Sequence, residues 1–271
     1  MEYYCFVLQS NVSVDSAWDT FNQAGFQLLY SSEEPNSEKL IYGYPPIGVS
    51  TTNLLQDYRE LASFHTVQFD QIDWHDQWGS ENSSLFIDLK EYSPNNENGF
   101  LMAPGPGFGD LSHPTTRLAL KMMAPLVRGK YVIDLGCGSG VLSLAAIKLG
   151  AEGVCGIDID ADALKHAKEN ALLNELENKI SFHLPGEVLA IPANVPVLLV
   201  MNMIYKEQEQ AWNSLPEVHA LKMDCITSGV LKQHQKLYLS LCEKRSWQLV
   251  DSRIEDKWCG FHFKVIGVEL R

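Results

Sequence analysis

No two cysteines stand close enough in this 271-residue chain to form a metal or redox motif: Cys5, Cys137, Cys155, Cys225, Cys242 and Cys259 occur singly. That spacing excludes a C-x-x-C zinc cage or thiol-exchange site. A disulfide scaffold is out of keeping with a chain of this size, so a reducing compartment is expected. No apolar run approaches the roughly 18 residues a membrane span needs, and the opening Met1-Glu-Tyr-Tyr-Cys-Phe-Val-Leu lacks the basic start of a signal peptide. The expectation is a cytoplasmic, monomeric protein without a membrane partner. Internal repeats and low-complexity tracts are also missing. Bases are scarce in the front third: residues 1–97 hold 15 acids but only Lys39, Arg59 and Lys90, whereas residues 98–271 hold 19 acids and 18 bases. Such a field repels phosphate backbones and attracts cations, which argues against direct nucleic-acid binding and for a basic protein partner.

What is present is a chain that is 45% hydrophobic, enough to bury a core. Residues 3–8 read as a strand. Residues 14–24 read as a helix carrying Ala17, Trp18, Phe21 and Ala24 on one face, stopped by Gly25. Strands follow at 26–30 and 39–44 around a polar loop, 31–37, then a helix at 53–62 and an extended stretch at 64–69. This βαββαβ order predicts a small ferredoxin-like α+β domain over residues 1–70. A linker, 71–100, holds Asp73-Trp74 and Trp78, a strand at 85–89 and the turn-rich Ser93-Pro-Asn-Asn-Glu-Asn-Gly99.

From 101 to 271 helix and strand alternate. Helices are predicted at 114–127, with Pro114 in the first turn, and at 141–149, 161–174, 204–214 and 230–243. Strands are predicted at 131–134, 153–157, 179–183, 196–201, 223–228, 246–253 and 258–268. Strands separated by helices imply parallel crossovers, hence an α/β fold with a doubly wound Rossmann-like sheet, finished by an antiparallel hairpin.

The strongest chemical signal is Asp134-Leu-Gly136-Cys137-Gly138-Ser-Gly140, a glycine turn between a β-rich run and a helix. Glycines admit close backbone approach, and amides at the helix start can hold polar ligand groups. The nicotinamide fingerprint G-x-G-x-x-G fits poorly, because its third glycine falls on Val141. A D-x-G-x-G-x-G turn followed about 20 residues later by Gly156-Ile157-Asp158 is instead similar to S-adenosylmethionine-dependent methyltransferases, with Asp158 placed to accept from the ribose hydroxyls. Asp158, Asp160, Asp162 and Glu169 also match positions of a calcium loop. Ala163 stands where that loop needs glycine, so no metal is expected.

Two further segments carry a closer resemblance: Pro104 to Thr116, containing Phe108-Gly109-Asp110-Leu111 and His113-Pro114-Thr115-Thr116, and Met201-Asn202-Met203 at a strand end. Taken with Asp73-Trp74, Trp78, Lys148-Leu149-Gly150-Ala151, Ser228-Gly229-Val230-Leu231 and Lys257-Trp258-Cys259, the chain resembles the PrmA family, the methyltransferases of large-subunit ribosomal protein eleven, over about residues 73 to 260. The resemblance implies S-adenosyl-L-methionine as cofactor, held by Asp134, Gly136, Cys137, Gly138, Gly140, Asp158, Ile159, Phe108, Thr115 and Asn202. It further implies methylation of lysine or N-terminal amines of a basic ribosomal protein of the large subunit, with Asn202 as the catalytic residue. Where the family reads F-G-T-G this chain has Phe108-Gly109-Asp110-Leu111, replacing a hydroxyl and a glycine. Two other readings share these residues: methylation of another protein or a small amine, and a cofactor-binding adaptor with little catalysis.

A lysine with an ordinary pKa is protonated at pH 7, and exposing its neutral amine costs about 4.6 kcal/mol. Burial lowers that cost by disfavouring the charged form. Asn202 is therefore expected to orient the amine and not to take its proton.

Overall fold

Helix α1 (Val14–Gln23) starts where the Ser13 hydroxyl accepts from the Ser16 N–H, and it buries Ala17 and Phe21, one turn apart. Those side chains join Phe6, Phe26, Leu28, Ile41 and Leu61 in one apolar cluster, with Phe21 and Phe26 stacked at 4.9 Å. The strands around it are β1 (Glu2–Leu8), β2 (Gln27–Glu33), β3 (Lys39–Tyr44) and β4 (Leu61–Gln68), antiparallel in the order β2-β3-β1-β4. The computed structural model describes residues 2–33, 38–46, 51–68, 84–93, 99–187 and 190–266. It separates into two units, Met1–Ile72 and Asp73–Arg271.

The predicted helix at 53–62 is corrected to a 3-10 turn, Thr51–Asn53, and a single helical turn α2 (Leu54–Asp57). Strand pairing takes the remainder: Leu61 lies opposite Leu8 and is buried in the cluster, so the chain is extended from Leu61 onward. Asp73, Trp74 and Trp78, part of the loop 31–37, most of the turn 93–99 and the end of the strand predicted at 258–268 lie outside the described residues. Strand β5 (Leu85–Ile87) pairs with β6 (Phe100–Met102) and is shorter than the predicted 85–89.

The second unit is built on seven strands: β7 (Tyr131–Leu135), β8 (Gly153–Ile157), β9 (Ile180–His183), β10 (Val197–Asn202), β11 (Met223–Leu231), β12 (Trp247–Glu255) and β13 (Trp258–Val265). Their order is β12-β13-β11-β10-β7-β8-β9, parallel from β11 to β9 and antiparallel at β12 and β13. The helices are α3 (Pro114–Met123), α4 (Val141–Lys148), α5 (Ala161–Leu173), α6 (Tyr205–Asn213) and α7 (Gln235–Lys244). Helices α3, α4 and α5 cover the sheet face that carries Val132, Val154, Leu198, Val200 and Ile226; α6 and α7 cover the face that carries Ile133, Cys155, Leu199, Met201 and Cys225. Alternate residues are thus buried on both sides, which is why these strands read as continuous apolar runs. Each such side chain contributes roughly 1.5–3 kcal/mol by leaving water. The helix predicted at 230–243 begins instead at Gln235, because the ladder of β11 with β13 runs on to Leu231 opposite Trp258.

Chain order reverses between β7 and β10. From β7 the chain steps to β8 and β9 on one side, then returns to place β10 on the other. Ligands of open α/β sheets sit at the carboxyl ends of the strands where such a reversal opens a crevice. The other end is closed by an ionic pin: Asp224 accepts from Lys130 at 2.5 Å, His262 at 2.7 Å and Lys264 at 2.7 Å, tying β11 and β13 to the residue before β7. These donors hold the Asp224 carboxyl well below its ordinary range despite partial burial.

Candidate functional site

At the carboxyl end of β7 the chain turns through Gly136, Gly138 and Gly140, with φ of 76°, 51° and 81°. The left-handed region disfavours a side chain, and at Gly138 the neighbouring backbone leaves no room for one as well. A Cβ on Gly138 would lie 2.5 Å from the Phe108 carbonyl oxygen, and one on Gly136 would lie 2.0 Å from the Met203 methyl. The turn consumes its own donors. Gly136 and Cys137 donate to the Ile157 carbonyl at 2.7 and 3.1 Å, Ser139 donates to the Phe108 carbonyl at 2.9 Å, and Gly140 donates to the Cys137 carbonyl at 2.8 Å. These bonds fix the turn's shape ahead of the helix start at Val141.

Asp158, at the end of β8, accepts from the Gly138 N–H at 2.9 Å through Oδ2 and from the Asp160 N–H at 3.1 Å through Oδ1. Burial raises the Asp158 pKa, and backbone bonds from Gly138, Asp160 and Ile159 oppose that rise. Next to it Ile159 is 51% exposed, an apolar side chain at the rim. Asp134 lies beneath the turn, fully buried, its Oδ2 accepting from the Ser143 hydroxyl at 2.6 Å. Cys137 is buried, and desolvation pushes its thiol well above the usual range, so it is no nucleophile.

Desolvation raises Asp134 to about 6, opposed by the Ser143 bond. A carboxyl raised in the folded state favours the protonated fold, so its contribution is complete below about pH 4 and is lost as pH rises through about 6. Asp134→Asn is therefore expected to gain on the native chain by on the order of 2–3 kcal/mol between pH 4 and pH 7.5. Urea denaturation at both pH values measures it; parallel pH profiles for the two proteins would contradict this account of Asp134.

Helix α5 joins this turn to the loop before α3. Asp160 caps the helix, accepting from the Asp162 N–H at 2.8 Å. His166, Asn170 and Asn174 then follow along one face. His166 accepts from the Gly107 N–H through Nδ1 at 3.1 Å, so Nε2 carries the proton shared with the Ala103 carbonyl at 2.8 Å. Asn170 accepts from the Ala103 N–H at 2.8 Å and donates to the Ser139 carbonyl at 3.0 Å. Asn174 bonds both the N–H and the carbonyl of Leu101, at 2.8 and 2.7 Å. Sequence reasoning missed this ladder, whose one visible sign is polar residues at i, i+4 and i+8 on a face that otherwise faces the core.

The loop ends at His113, which caps α3: Nδ1 accepts from the Thr115 N–H at 3.3 Å and lies 2.7 Å from the Thr115 hydroxyl. Burial, with Arg117 and Lys257 adding to it, lowers His113 to about 4 and keeps it a neutral acceptor. Its ring meets Phe108 and Trp258 edge-on, at 5.7 and 5.3 Å. Thr115 is thus turned toward His113. Thr116, which sequence reasoning passed over, receives Asn202 instead: the Asn202 Nδ2 donates to the Thr116 hydroxyl at 3.2 Å. That bond fixes the amide, and Asn202 Oδ1 is left buried with no hydrogen-bond partner among the described residues. Such an acceptor costs about 1–3 kcal/mol unless something donates to it.

Asp110 Oδ1 accepts from the Ser112 N–H at 2.8 Å and its hydroxyl at 2.5 Å, a local turn that directs the carboxylate toward Ser112. Leu111 adopts φ 73°, the region that favours glycine, and its carbonyl accepts from Arg117 at 3.0 Å. Arg117 also reaches the Ser112 carbonyl and, through Nε, Glu255 at 2.6 Å. The expected site residues therefore fall into one cluster at the carboxyl ends of β7, β8 and β10. Asp134 lies beneath it, and Thr115 is turned aside.

Comparison with known proteins follows the same residues. A family model described as Ribosomal protein L11 methyltransferase (PrmA) matches residues 47–265. A ribosomal protein L11 methyltransferase of Alteromonas mediterranea is 44% identical over 103 residues, 38% of this chain and 35% of its own. Its namesake in Prochlorococcus marinus is 36% identical over 167 residues, 57% and 53% of the two chains. The namesake in Caldanaerobacter subterraneus subsp. tengcongensis is 29% identical over 277 residues, 93% and 86% of the two chains. This chain thus spans about a third and about half of the first two relatives' lengths and most of the third's.

Proposed function

Because the chain belongs to the ribosomal protein L11 methyltransferase (PrmA) family, we propose that it transfers methyl groups from S-adenosylmethionine to lysine or N-terminal amines of the corresponding large-subunit ribosomal protein. The observation that carries this reading is the bare, buried Asn202 Oδ1 at the end of β10, beside the reversal in strand order. An acceptor left unpaired there is what a reaction on an N–H group requires, and it favours catalysis over an adaptor role.

Asp158 would hold the ribose hydroxyls with its carboxylate, and Ile159 offers apolar surface to the adenine. The glycine turn, its donors engaged internally, offers the methionyl end backbone carbonyl oxygen, the right partner for an ammonium group. Asp134 supports the turn from below, and its buried carboxylate favours a cationic ligand above it. When bound, S-adenosylmethionine supplies an electrophilic methyl whose leaving group departs as a neutral thioether.

The chain's own task is positioning. Asn202 Oδ1 accepts one N–H of the incoming amine and so directs its lone pair. Phe108, His113 and Trp258 line the start of α3, one turn from Thr116, and exclude water from the amine's approach, which disfavours its ammonium form. Neutral His113 adds no positive charge against it. The amine sheds its proton to water before it enters, since Asn202 has no basic lone pair and Asp110 is turned to Ser112.

The front unit we assign as a ferredoxin-like substrate domain over residues 1–70, joined by a linker to about residue 100. Support comes from its antiparallel order β2-β3-β1-β4 and from the charge of the first 97 residues, which suits a basic ribosomal protein in the cytoplasm. No helix among the described residues is long and apolar enough to cross a membrane. Incubation with purified ribosomal protein eleven and methyl-labelled donor should label that protein on amines, read by mass spectrometry. Label appearing only on other proteins or small amines would redirect the substrate, and no label at all would remove the enzymatic reading.

A further inference from the structure

Asn202 is held from two sides of the sheet, and only one of the two holds touches its side chain. Thr116, from α3, receives the amide. On the opposite face, Gln208 of α6 is 1% exposed and all of its polar atoms are engaged. Its Nε2 donates to the Met203 carbonyl at 2.7 Å and to the Ser228 carbonyl at 2.8 Å. Its Oε1 accepts from the Tyr238 hydroxyl at 2.6 Å. Met203 follows Asn202 in the chain, and Ser228 is the residue paired with Asn202 across the β10–β11 ladder. One side-chain amide therefore cross-links the last rung of that ladder just where Asn202 leaves the sheet.

The strands do not need this bond to pair. The ladder already runs through the register Val197↔Met223 to Asn202↔Ser228 between two apolar layers. A buried amide is a costly filler where an apolar side chain of equal size would pack, because its desolvation must be offset bond for bond. Gly229 belongs to the same device: with φ 91° and a notional Cβ only 2.4 Å from the Met203 carbonyl oxygen, it lets the two strand ends close on the amide. The two carbonyls fix which way the amide faces, since reversing it would set Oε1 against both, and the hydroxyl of Tyr238, buried in α7, then donates to Oε1 and braces the amide.

We infer that Gln208, braced by Tyr238, is a positioning residue for amine methylation: it fixes the backbone at Asn202 and with it the place of the unpartnered Oδ1. The inference rests on the amine-orienting role proposed above for Asn202. Gln208 touches neither donor nor amine, so donor binding is independent of it while the geometry of attack is not. A displacement of about 1 Å in such a geometry costs on the order of a hundredfold in rate.

The test is steady-state methylation of ribosomal protein eleven by the whole chain, together with calorimetry of S-adenosylhomocysteine. Gln208→Met, similar in volume and without the bonds, should lower kcat by about ten- to a hundredfold and leave cofactor affinity within about twofold. Tyr238→Phe should do the same by a few-fold, and it removes only one hydroxyl should the first variant fold poorly. In an Asn202→Ala background, followed by label incorporation over hours, adding Gln208→Met should lower the residual rate no further. A role in stability alone would lower it by the same factor in both backgrounds, and that result overturns the inference, as would full kcat in Gln208→Met or a parallel loss of cofactor affinity. If Asn202→Ala itself retains full turnover, the amine-orienting role fails and the inference falls with it; a crippled Asn202→Ala beside an intact Gln208→Met sinks the inference alone.

Discussion

Asn202→Ala is expected to lower turnover by about a hundred- to a thousandfold while S-adenosylhomocysteine binds within about twofold of its native affinity. The asymmetry follows from where the amide sits. Its Nδ2 is committed to Thr116, and its buried Oδ1 has no hydrogen-bond partner among the described residues. Removing the side chain therefore takes nothing from the contacts proposed for the donor at Asp158 and the glycine turn, but it leaves the amine free to rotate its lone pair away from the methyl. Asn202→Asp should be nearly as poor, because a carboxylate stabilises the ammonium form that cannot attack and loses the donor to the Thr116 hydroxyl. Single-turnover rates beside calorimetric affinities separate the two effects. An equal loss in both would mean that Asn202 serves the donor and not the acceptor.

The second large effect is expected at Asp158, with the opposite signature. Asp158→Ala deletes the acceptor proposed for two ribose hydroxyls and also the bonds from the Gly138 and Asp160 N–H groups that hold the turn against the end of β8. Hydrogen bonds to a charged group contribute about 1.5–3 kcal/mol each, so the dissociation constant of the donor should rise by more than about a hundredfold. Asp158→Asn, which keeps one acceptor oxygen, should fall between. If kcat at saturating donor survives in both variants, the residue acts in binding alone, as assigned; an unchanged dissociation constant in Asp158→Ala would empty the proposed pocket of its main contact.

Much of this was legible in the chain itself, for reasons that differ by element. The core strands of the second unit were plain because burial on both faces writes an uninterrupted apolar run, as in Val197 to Met201. The glycine turn was plain because left-handed backbone and close approach by Phe108 and Met203 leave one residue type that fits. Local pattern failed where a distant partner decided. Residues 53–62 have the composition of a helix, yet Leu61 is claimed by Leu8 across the sheet. Thr115 and Thr116 are chemically alike in sequence, and only the cap at His113 decides which one turns away and which meets Asn202. Gln208 left no mark in the sequence and the α5 ladder only its i, i+4, i+8 spacing, because a buried polar side chain is explained by its partners, and those lie in other segments. The Leu111 position bears on both kinds of reading: the chain keeps the positive φ of a glycine site without the glycine, at about 1 kcal/mol of strain, with Arg117 gripping the neighbouring carbonyls.

The polar ladder on α5 has a mechanical result. One stiff rod begins beside Asp158 and Asp160 and, through His166, Asn170 and Asn174, grips the backbone of the segment before α3 at Gly107, Ala103 and Leu101. The segment before α3 and the glycine turn at Ser139 are consequently tied to one helix when the protein folds, before any small molecule arrives. Less disorder then remains to be quenched on binding, and affinity follows from fit more than from closure.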